Sequence, residues 1–524
     1  MLPLRATAAE LPLAVGVGAG WVWAWSSGRA WVLDGVLEGY RWPDYLYNAW
    51  MVGLGLGGKY DPFRNPLHAA LLNALGTTLG SFPDAAVVIS SAAVALAVLG
   101  AGLLARALGG PWAGGAAALV VPLAQPMAEA SRWANLYPLL AGASALSVGL
   151  TAAALRWPGV STVALAGLGG GLVWAVDPRG VPFALLAATG VGLGAARRSG
   201  GWRGQLAALL VGGAGLGLGP AVDEGFGMMP GRHVDAAEYL DEQRIVVWSW
   251  MGNQGDAAMA DACADASPEL VFTAALWRSP CGAAVVRHNL RYALRRQVAL
   301  PLWLVAAGGL CLLVPGARGR RDMVDGLLVA GGVFGVAAVG VLTLPLVERY
   351  ALQLAAPLGA IGCAGLARIA TLRGGTWRGA GVAVALVALA WVDRGERARV
   401  SATGPSTWTG EMYRWNHVAR FVDGALPEGA AFLDCAACSV NLALLPRTTF
   451  WWQPPALWQE RVDGDVATTC AGWIEEPPAR RAYVGVSGAL GDPQGSALAA
   501  RVAADPRWIE VGSDGNYRLY RREE

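Results

Sequence analysis

The sequence has little charge, a single lysine and few histidines. Charged residues make up 15% of its 524 positions, against about 25% in an ordinary soluble protein. Lys59 is the only lysine, so arginine carries nearly all of the positive charge. The formal net charge is only +2, and no basic block has the density that a nucleic-acid site requires. These shortages exclude an ordinary soluble domain and a nucleic-acid partner.

Apolar residues dominate instead. Hydrophobic residues make up 55% of the chain, and the mean hydropathy is +0.41. This composition predicts an integral membrane protein, and the preference for arginine, glycine and alanine indicates a GC-rich, bacterial genome. We predict about eleven membrane-spanning helices, each near the ~20 residues that a bilayer requires. Their approximate spans are 11–30, 84–107, 111–128, 135–155, 159–176, 181–196, 205–222, 298–316, 323–345, 349–367 and 379–394.

The arginines of the short loops predict the orientation of the chain. Every second loop is rich in arginine, and loops of that kind face the cytoplasm. These loops carry Arg5, Arg106, Arg156, Arg197, Arg198, Arg203, Arg318, Arg320, Arg321, Arg368, Arg373 and Arg378. The N-terminus is therefore predicted to be cytoplasmic. The first apolar run has no clear cleavage site after it and is interpreted as an uncleaved anchor.

Three segments are then predicted to lie outside the cytoplasm. Two are outer loops of a membrane domain over 1–395, at 31–83 and 223–297, and the third is the tail, 396–524. Apolar spacing in the first loop predicts two interfacial helices, the second in the stretch LHAALLNALGTTLG. The tail alternates strand, turn and helix patterns and ends in a predicted hairpin, which indicates a small soluble α/β domain. The protein is thus predicted to be a multi-pass protein of the bacterial inner membrane with a periplasmic domain.

Five of the cysteines fall in these outer segments. They are Cys263, Cys281, Cys435, Cys438 and Cys470. In an oxidising compartment the first expectation for such cysteines is a disulfide. The Cys435–Cys438 pair could also be a redox motif or, with Cys470, part of a zinc site.

The stretch YRWPDYLYNAW, residues 40–50, contains the first candidate for chemistry. Asp44 lies among aromatic rings soon after an apolar helix, and carboxylates near a membrane are functional candidates because they are costly there. Asp44 could act as a general base toward a hydroxyl. It could equally cap a helix directly after Pro43. Asp34 is a second candidate acid nearby.

Four short segments, in this order along the chain, resemble segments of the GT-C glycosyltransferase superfamily, in particular of lipid-A aminoarabinose transferases and protein O-mannosyltransferases. They are DYLYNA at 44–49, NPLH at 65–68, SRWANLY at 131–137 and ERY at 348–350. Tyr45 and Trp133 stand where the family often has acids, and Glu129 lies one helical turn before Trp133. The resemblance extends over about residues 10–395, and the tail resembles the outer C-terminal domain of many members.

The resemblance implies an inverting transferase that uses a polyprenyl-phosphate-linked sugar. Its donor would lie in the bilayer, and a sugar would pass to an acceptor hydroxyl of a glycan, lipid or protein at the outer face. Asp44 would be the base, and Glu129 and His68 would orient substrate or a divalent metal. Tyr137 and Tyr350 lie in the matched segments and are further binding candidates.

A lipid phosphate also needs cations near the interface, and arginine offers a bidentate fork. Arg349 and Arg132 are the first candidates, and Arg179 is a third. For each, the alternative is interfacial snorkelling or an ion pair; Asp177 stands two residues before Arg179. A different class of function also stays open: a non-catalytic membrane scaffold, or a lipid-binding anchor for the exported domain.

Overall fold

A computed structural model describes most of the membrane part and several segments of the tail. The described residues are 10–34, 67–80, 82–124, 127, 130, 136–199, 201–227, 257–267, 269, 273, 275–294, 298, 300–316, 318–343, 348–403, 418, 421–422, 424–427, 429–435, 449–450, 474–475, 482–487 and 493–523.

The membrane part is helical throughout its described residues. Its helices are α1 Leu11–Asp34, α2 Leu67–Leu79, α3 Phe82–Gly109, α4 Pro111–Leu123, α5 Tyr137–Arg156, α6 Val160–Val176, α7 Val181–Ala196, α8 Gly201–Gly227, α9 Ala257–Cys263, α10 Pro280–His288, α11 Leu302–Cys311, α12 Arg320–Thr343 and α13 Glu348–Thr403. A 3₁₀ turn, Pro178–Gly180, links α6 to α7, and a π-helix, Asn289–Leu294, continues α10.

Six described helices are long and apolar enough to cross a membrane: Ala85–Gly109, Tyr137–Arg156, Pro178–Ala196, Gly201–Val222, Arg320–Leu342 and Ala351–Asp393. Each predicted apolar segment contains a described helix, but some of these helices are shorter than a span, among them Pro111–Leu123 and Leu302–Cys311. The predicted segments 349–367 and 379–394 both lie in α13, which breaks at Gly375, where φ is 74°. The described helices therefore show a multi-pass helical membrane protein, and the eleven crossings stay a prediction.

Small residues let the helices approach closely. A Cβ atom on Gly100 of α3 would collide with the backbone of Ala145 in α5, and one on Gly149 would collide with the carbonyl of Gly100. Between α6 and α8, Gly167 meets the backbone of Gly212 in the same way. Such contacts replace hydrophobic burial as the cause of association, because lipid is as apolar as the side chains.

One end of the bundle is held by arginine–carboxylate contacts. Arg156, the last residue of α5, donates to Asp322 Oδ1 at 2.9 Å, and Arg318 donates to the same oxygen at 2.7 Å. Arg318 also donates to Asp325 Oδ2 at 3.1 Å, and Arg197, directly after α7, pairs with the same carboxylate. The side chain of Asp325 is 3% exposed. The C-terminal ends of α5 and α7 therefore meet the start of α12.

Two more arginines belong to this end. Arg106, near the end of α3, pairs with Glu10 and lies 4.1 Å from the centroid of the Trp157 ring. Arg368 of α13 is buried, and its Nη1 donates to the carbonyl of Leu312 at 3.3 Å. We call the end that carries Arg106, Arg156, Arg197, Arg318 and Arg368 the arginine end. All five are among the arginines that the sequence placed in cytoplasmic loops.

The direction of each helix then defines the opposite end. Helix α1 starts beside Glu10 at the arginine end, so its last residue, Asp34, lies at the other end. Helix α5 begins at Tyr137, and α13 begins at Glu348. At 1.5 Å per residue, each of these starts lies about 30 Å from the arginine of the same helix at the arginine end, Arg156 in α5 and Arg368 in α13. Helix α2 precedes the start of α3 and also belongs to the opposite end.

The tail contains a mixed sheet of five strands. The strands are β1 Ala431–Asp434, β2 Thr449–Phe450, β3 Ala482–Ser487, β4 Trp508–Asp514 and β5 Tyr517–Arg522, in the order β2-β1-β3-β5-β4. β1 pairs in parallel with β2 and β3, whereas β5 is antiparallel to β3 and β4. The predicted closing hairpin is confirmed, and its turn contains Gly515 with φ of 61°.

Helical residues cover both faces of this sheet. Val418 and Val422 pack with Phe432 and Tyr483 on one face. On the other face α14, Pro493–Ala504, packs on β3 and β4. The sequence predicted the strands β1, β3, β4 and β5, and it missed β2 and α14.

The close contact of α3 and α5 generates a test of the packing. Gly100→Ala should destabilise the purified protein by about 1–3 kcal/mol, the range for overpacking, because the new methyl group meets backbone that cannot rotate away. Thermal denaturation in detergent measures the effect.

Gly192→Ala is the matched control, because a Cβ on that glycine of α7 would have no atom within 4 Å. It should leave the melting temperature unchanged or raise it slightly, as alanine favours helix. Equal destabilisation by both variants would show that close packing of α3 on α5 is not what holds the bundle.

Candidate functional site

The end opposite the arginine end carries most of the candidate residues. The structure describes the side chains of His68, Tyr137 and Arg179, and it describes the helical backbone of Asp34, Arg349 and Tyr350. Asp44, Glu129 and Arg132 lie outside the described residues. The candidate site is therefore defined by the helix ends that surround it.

Asp177, Arg179 and Tyr137 form the best-defined polar group at this end. Arg179 Nε donates to Asp177 Oδ1 at 2.6 Å, and its Nη2 donates to Oδ2 at 2.8 Å. Its Nη1 donates to the hydroxyl of Tyr137 at 3.3 Å, and the guanidinium lies 5.0 Å from the centroid of that ring. The side chain of Asp177 is 2% exposed, against 31% for Arg179. A bidentate pair over an aromatic ring thus ties the 3₁₀ turn to the start of α5.

The same local motif occurs a second time in the chain. Asp505, Pro506 and Arg507 repeat the order Asp-Pro-Arg. Arg507 Nε donates to Asp505 Oδ1 at 3.0 Å, and its Nη2 donates to Oδ2 at 2.7 Å. Here the aspartate side chain is 17% exposed and the arginine 49%. The pairing geometry is therefore a property of the tripeptide and needs no ligand to explain it.

The observed contacts of Arg179 are those of an ion pair within a turn. Asp177 neutralises the guanidinium. Its Oδ1 also accepts a hydrogen bond from the backbone amide of Arg179 at 2.9 Å, which completes a turn. An ion pair was one of the alternatives to phosphate binding for this arginine, and it accounts for the contacts that are observed. Tyr137 is buried beneath it and supports the turn.

His68 is the second residue of α2 and is buried. Leu72, one turn further along the same helix, is fully buried in the same core as Ala85 and Ile89 of α3, and α2 packs against α3. The motif histidine therefore points into the bundle rather than to solvent, which suits an orienting group better than an exposed ligand.

Asp34 and Arg349 occupy helix ends. Asp34 is the last residue of α1, and Arg349 is the second residue of α13. Both ends lie on the side of the bundle away from Glu10 and Arg368. Tyr350 follows Arg349 in the first turn of α13. The structure thus brings α1, α2, α5 and α13, the helices next to or within the four motifs, to one end.

The second outer region contains a disulfide between Cys263 and Cys281. It joins the end of α9 to the start of α10, where Ser279 Oγ accepts from the amide of Gly282 at 3.2 Å and caps the helix. The spacing of Arg287, Arg291 and Arg295 in the sequence predicts that they share one face of a continuous α-helix. The structure corrects this prediction for the first two arginines, because the α-helix ends at His288 and a π-helix follows from Asn289 to Leu294.

Cys435 is also disulfide-bonded. Its partner lies outside the described residues, as do Cys438 and Cys470. A disulfide was the first of the three roles considered for this cysteine. Among the described residues, no group of three or more histidine, cysteine, aspartate or glutamate side chains could hold a metal ion.

Sequence reasoning did not single out Asn289. Its side chain is fully buried, and Nδ2 donates to the carbonyl of Val341 at 2.8 Å. Asn289 stands among arginines at the end of an amphipathic helix, where asparagines are commonly exposed. The local sequence therefore gives little indication that this side chain is buried. The contact spans 52 positions of the chain, and no local pattern could indicate it.

Comparisons with known proteins gave similar structures and no similar sequences. No protein-family model and no curated protein matches the chain. ArnT from Cupriavidus metallidurans in the apo state is 14% identical with a TM-score of 0.42, over 98% of this chain and 98% of that chain. The same protein bound to undecaprenyl phosphate is 13% identical with a TM-score of 0.42, over 97% of each chain.

The archaeal oligosaccharyltransferase AglB from Archaeoglobus fulgidus, in complex with an inhibitory peptide and a dolichol-phosphate, is 12% identical with a TM-score of 0.37. The alignment covers 79% of this chain and 60% of that one. At identities and scores this low, only the residues of this chain can support a statement about its function.

The two Asp-Pro-Arg turns generate a matched test. Asp177→Asn should lower the local free energy of opening by about 1–3 kcal/mol, because it leaves a partly buried guanidinium without its counter-charge. Asp505→Asn breaks the same geometry at the surface, where solvent screens the pair, and should cost clearly less. Hydrogen exchange of peptides covering residues 173–183 and 501–510 measures both.

Equal losses at the two turns would contradict the account, because they would make burial irrelevant to this ion pair.

In the exposed turn, hydrogen bonds from Arg507 lower the pKa of Asp505 to about 2. That carboxylate therefore stays charged under ordinary assay conditions, and any stabilisation that it gives is fully present above its ordinary pKa of 3.8 and is lost as the pH falls from there through about 2.

Proposed function

We propose that the protein is a GT-C-type membrane glycosyltransferase. It transfers a sugar from a polyprenyl-phosphate-linked donor to an acceptor hydroxyl at the membrane face opposite the arginine end. The observation that carries this proposal is the gathering of helix ends: α1, α2, α5 and α13, which bear or adjoin motifs far apart in the sequence, end or begin at one side of the bundle.

The chemistry of the donor suits this layout. A polyprenyl tail requires lipid, whereas its phosphate requires cations at the interface. Arg349 lies in the first turn of α13, at a helix end, and the resemblance adds Arg132. A guanidinium fork matches a phosphate in geometry and charge. Arg349 remains the first choice, because the third candidate, Arg179, is neutralised by Asp177.

The reaction needs one base and charge stabilisation. Asp44 accepts the proton of the acceptor hydroxyl as that oxygen attacks the anomeric carbon of the sugar. The bond between this carbon and the phosphate oxygen breaks, and the polyprenyl phosphate leaves with the electron pair, so that the configuration inverts. Arg349 and Arg132 stabilise the negative charge that the phosphate gains. His68, Glu129, Tyr350 and Asp34 surround the substrate.

The orientation in the membrane follows from the arginine end. Cytoplasmic loops of membrane proteins are enriched in arginine and lysine, so the arginine end faces the cytoplasm. The site, the outer loops and an α/β domain over 396–524 then lie in the periplasm of a bacterial inner-membrane protein. Eleven crossings would include the shorter apolar helices, such as α4 and α11.

Substitution of Asp44 tests the base. Asparagine caps a helix as well as aspartate does, so Asp44→Asn keeps the alternative capping role and removes only the basic carboxylate. It should lower sugar transfer at least about a hundredfold, the lower end of what a general base contributes. The measurement is consumption of labelled polyprenyl-phosphate sugar by the protein in vesicles.

Asp61→Asn, in the same outer region, is the control and should keep full turnover. Asp44→Ala removes the cap and the base together. The difference in melting temperature between Asp44→Ala and Asp44→Asn therefore measures the capping role alone. Full activity of Asp44→Asn would refute Asp44 as the base. If the wild-type protein consumes no donor, the non-catalytic scaffold is favoured. The lack of activity would then be explained by Tyr45 and Trp133, which stand where the family often has acids.

A further inference from the structure

The second outer region is bonded into the membrane bundle at one buried residue. Asn289 is 0% exposed, and its Nδ2 donates to the carbonyl oxygen of Val341 at 2.8 Å. A buried amide without a partner would cost free energy comparable to a lost hydrogen bond. The contact therefore fixes the segment after α10 to one place on α12.

The acceptor is a carbonyl of the last turn of α12, which ends at Thr343. The last four carbonyl groups of a helix have no amide partner within that helix. Asn289 supplies such a partner from a different part of the chain. The side chain thus acts as a C-terminal cap that holds the end of α12.

The end of α12 is close in sequence to the candidate phosphate ligand. Only residues 344–347 separate α12 from α13, and Arg349 is the second residue of α13. The π-helix Asn289–Leu294 packs against α13, while α10 packs against α12. One continuous segment therefore contacts the two helices on either side of this short connection.

This segment is itself anchored at its other end. The disulfide joins Cys281 of α10 to Cys263 of α9, and Ser279 caps α10. The change from α-helix to π-helix falls at Asn289, and single π turns are frequent at functional sites. Residues 280–294 thus form a brace between the disulfide and the end of α12.

We propose that Asn289 is a positioning residue for donor binding: by capping α12 it sets where α13 begins and so where Arg349 meets the lipid phosphate. This inference rests on the proposed function, because it assigns Arg349 to the donor phosphate. Asn289 touches no reacting atom in this account and acts through the helix end.

The test uses the full-length protein in nanodiscs with undecaprenyl phosphate as the probe. Asn289→Asp is nearly isosteric but replaces the donating amide with a carboxylate oxygen. The dissociation constant of this variant for the probe should rise at least roughly threefold, the lower end of what one hydrogen bond is worth, because the new carboxylate also faces the carbonyl oxygen of Val341. Arg349→Gln should weaken probe binding, and the double variant should bind no more weakly than Arg349→Gln alone.

Two readouts separate positioning from general destabilisation. Hydrogen exchange of a peptide covering residues 344–355 should speed up in Asn289→Asp. Gly100→Ala, which strains the contact of α3 with α5, should lower the melting temperature without changing probe affinity. In turnover assays Asn289→Asp should raise the KM for the donor and leave kcat nearly unchanged.

The outcomes distinguish the inference from the function beneath it. Unchanged probe affinity in Asn289→Asp, with weakened binding in Arg349→Gln, would overturn the positioning role and leave the phosphate role of Arg349 standing. Fully additive losses in the double variant would also overturn it. If Arg349→Gln binds the probe as tightly as the wild type, the phosphate role fails and the positioning role fails with it. Non-additive losses together with faster exchange at 344–355 support the proposal.

Discussion

An unpaired charge in the hydrocarbon of a bilayer is costly, and this constraint determines where the chain places its polar groups. At the arginine end, Asp322 and Asp325 neutralise guanidinium groups from three segments, and buried Arg368 is bonded to backbone carbonyl groups. Between the ends, glycine and alanine bring helix backbones into contact. The charged network determines which helix ends lie next to one another at the arginine end. Because each of these helices runs from one end of the bundle to the other, the network also determines which helix ends meet at the opposite end.

The two ends differ in how their charges are used. At the arginine end every acid of the network is paired with arginine, which is a structural arrangement. At the opposite end Asp177 and Arg179 are paired in a local turn whose geometry recurs at Asp505 and Arg507, and the backbone of Arg349 begins α13 there.

Much of the fold could be predicted from local patterns. Apolar runs near the length of a bilayer crossing identified the segments that form the membrane helices, because few other structures accommodate such runs. The alternation of apolar residues and the glycine at 515 predicted the closing hairpin of the tail. The cysteines at 263 and 281 were candidates from the polarity of their surroundings, and the Asp-Pro-Arg pairing was foreseeable from spacing.

What could not be predicted depends on contacts between distant parts of the chain. Asn289 reaches Val341 across 52 positions, and its burial is invisible in a segment that reads as amphipathic. The pairing of Arg197 with Asp325 depends on how α7 lies against α12. The position of β3 between β1 and β5 likewise depends on a crossover that strand patterns do not encode.

The central claim is spatial: residues from distant segments share one cavity at the end of the bundle away from Arg156 and Arg318. An experimental structure in lipid with a bound polyprenyl phosphate measures this most directly. The account predicts the phosphate beside Arg349, with the carboxylate of Asp44 facing the same cavity. An Asp44 side chain turned to lipid, or sealed in packing with no space beside it, would contradict it.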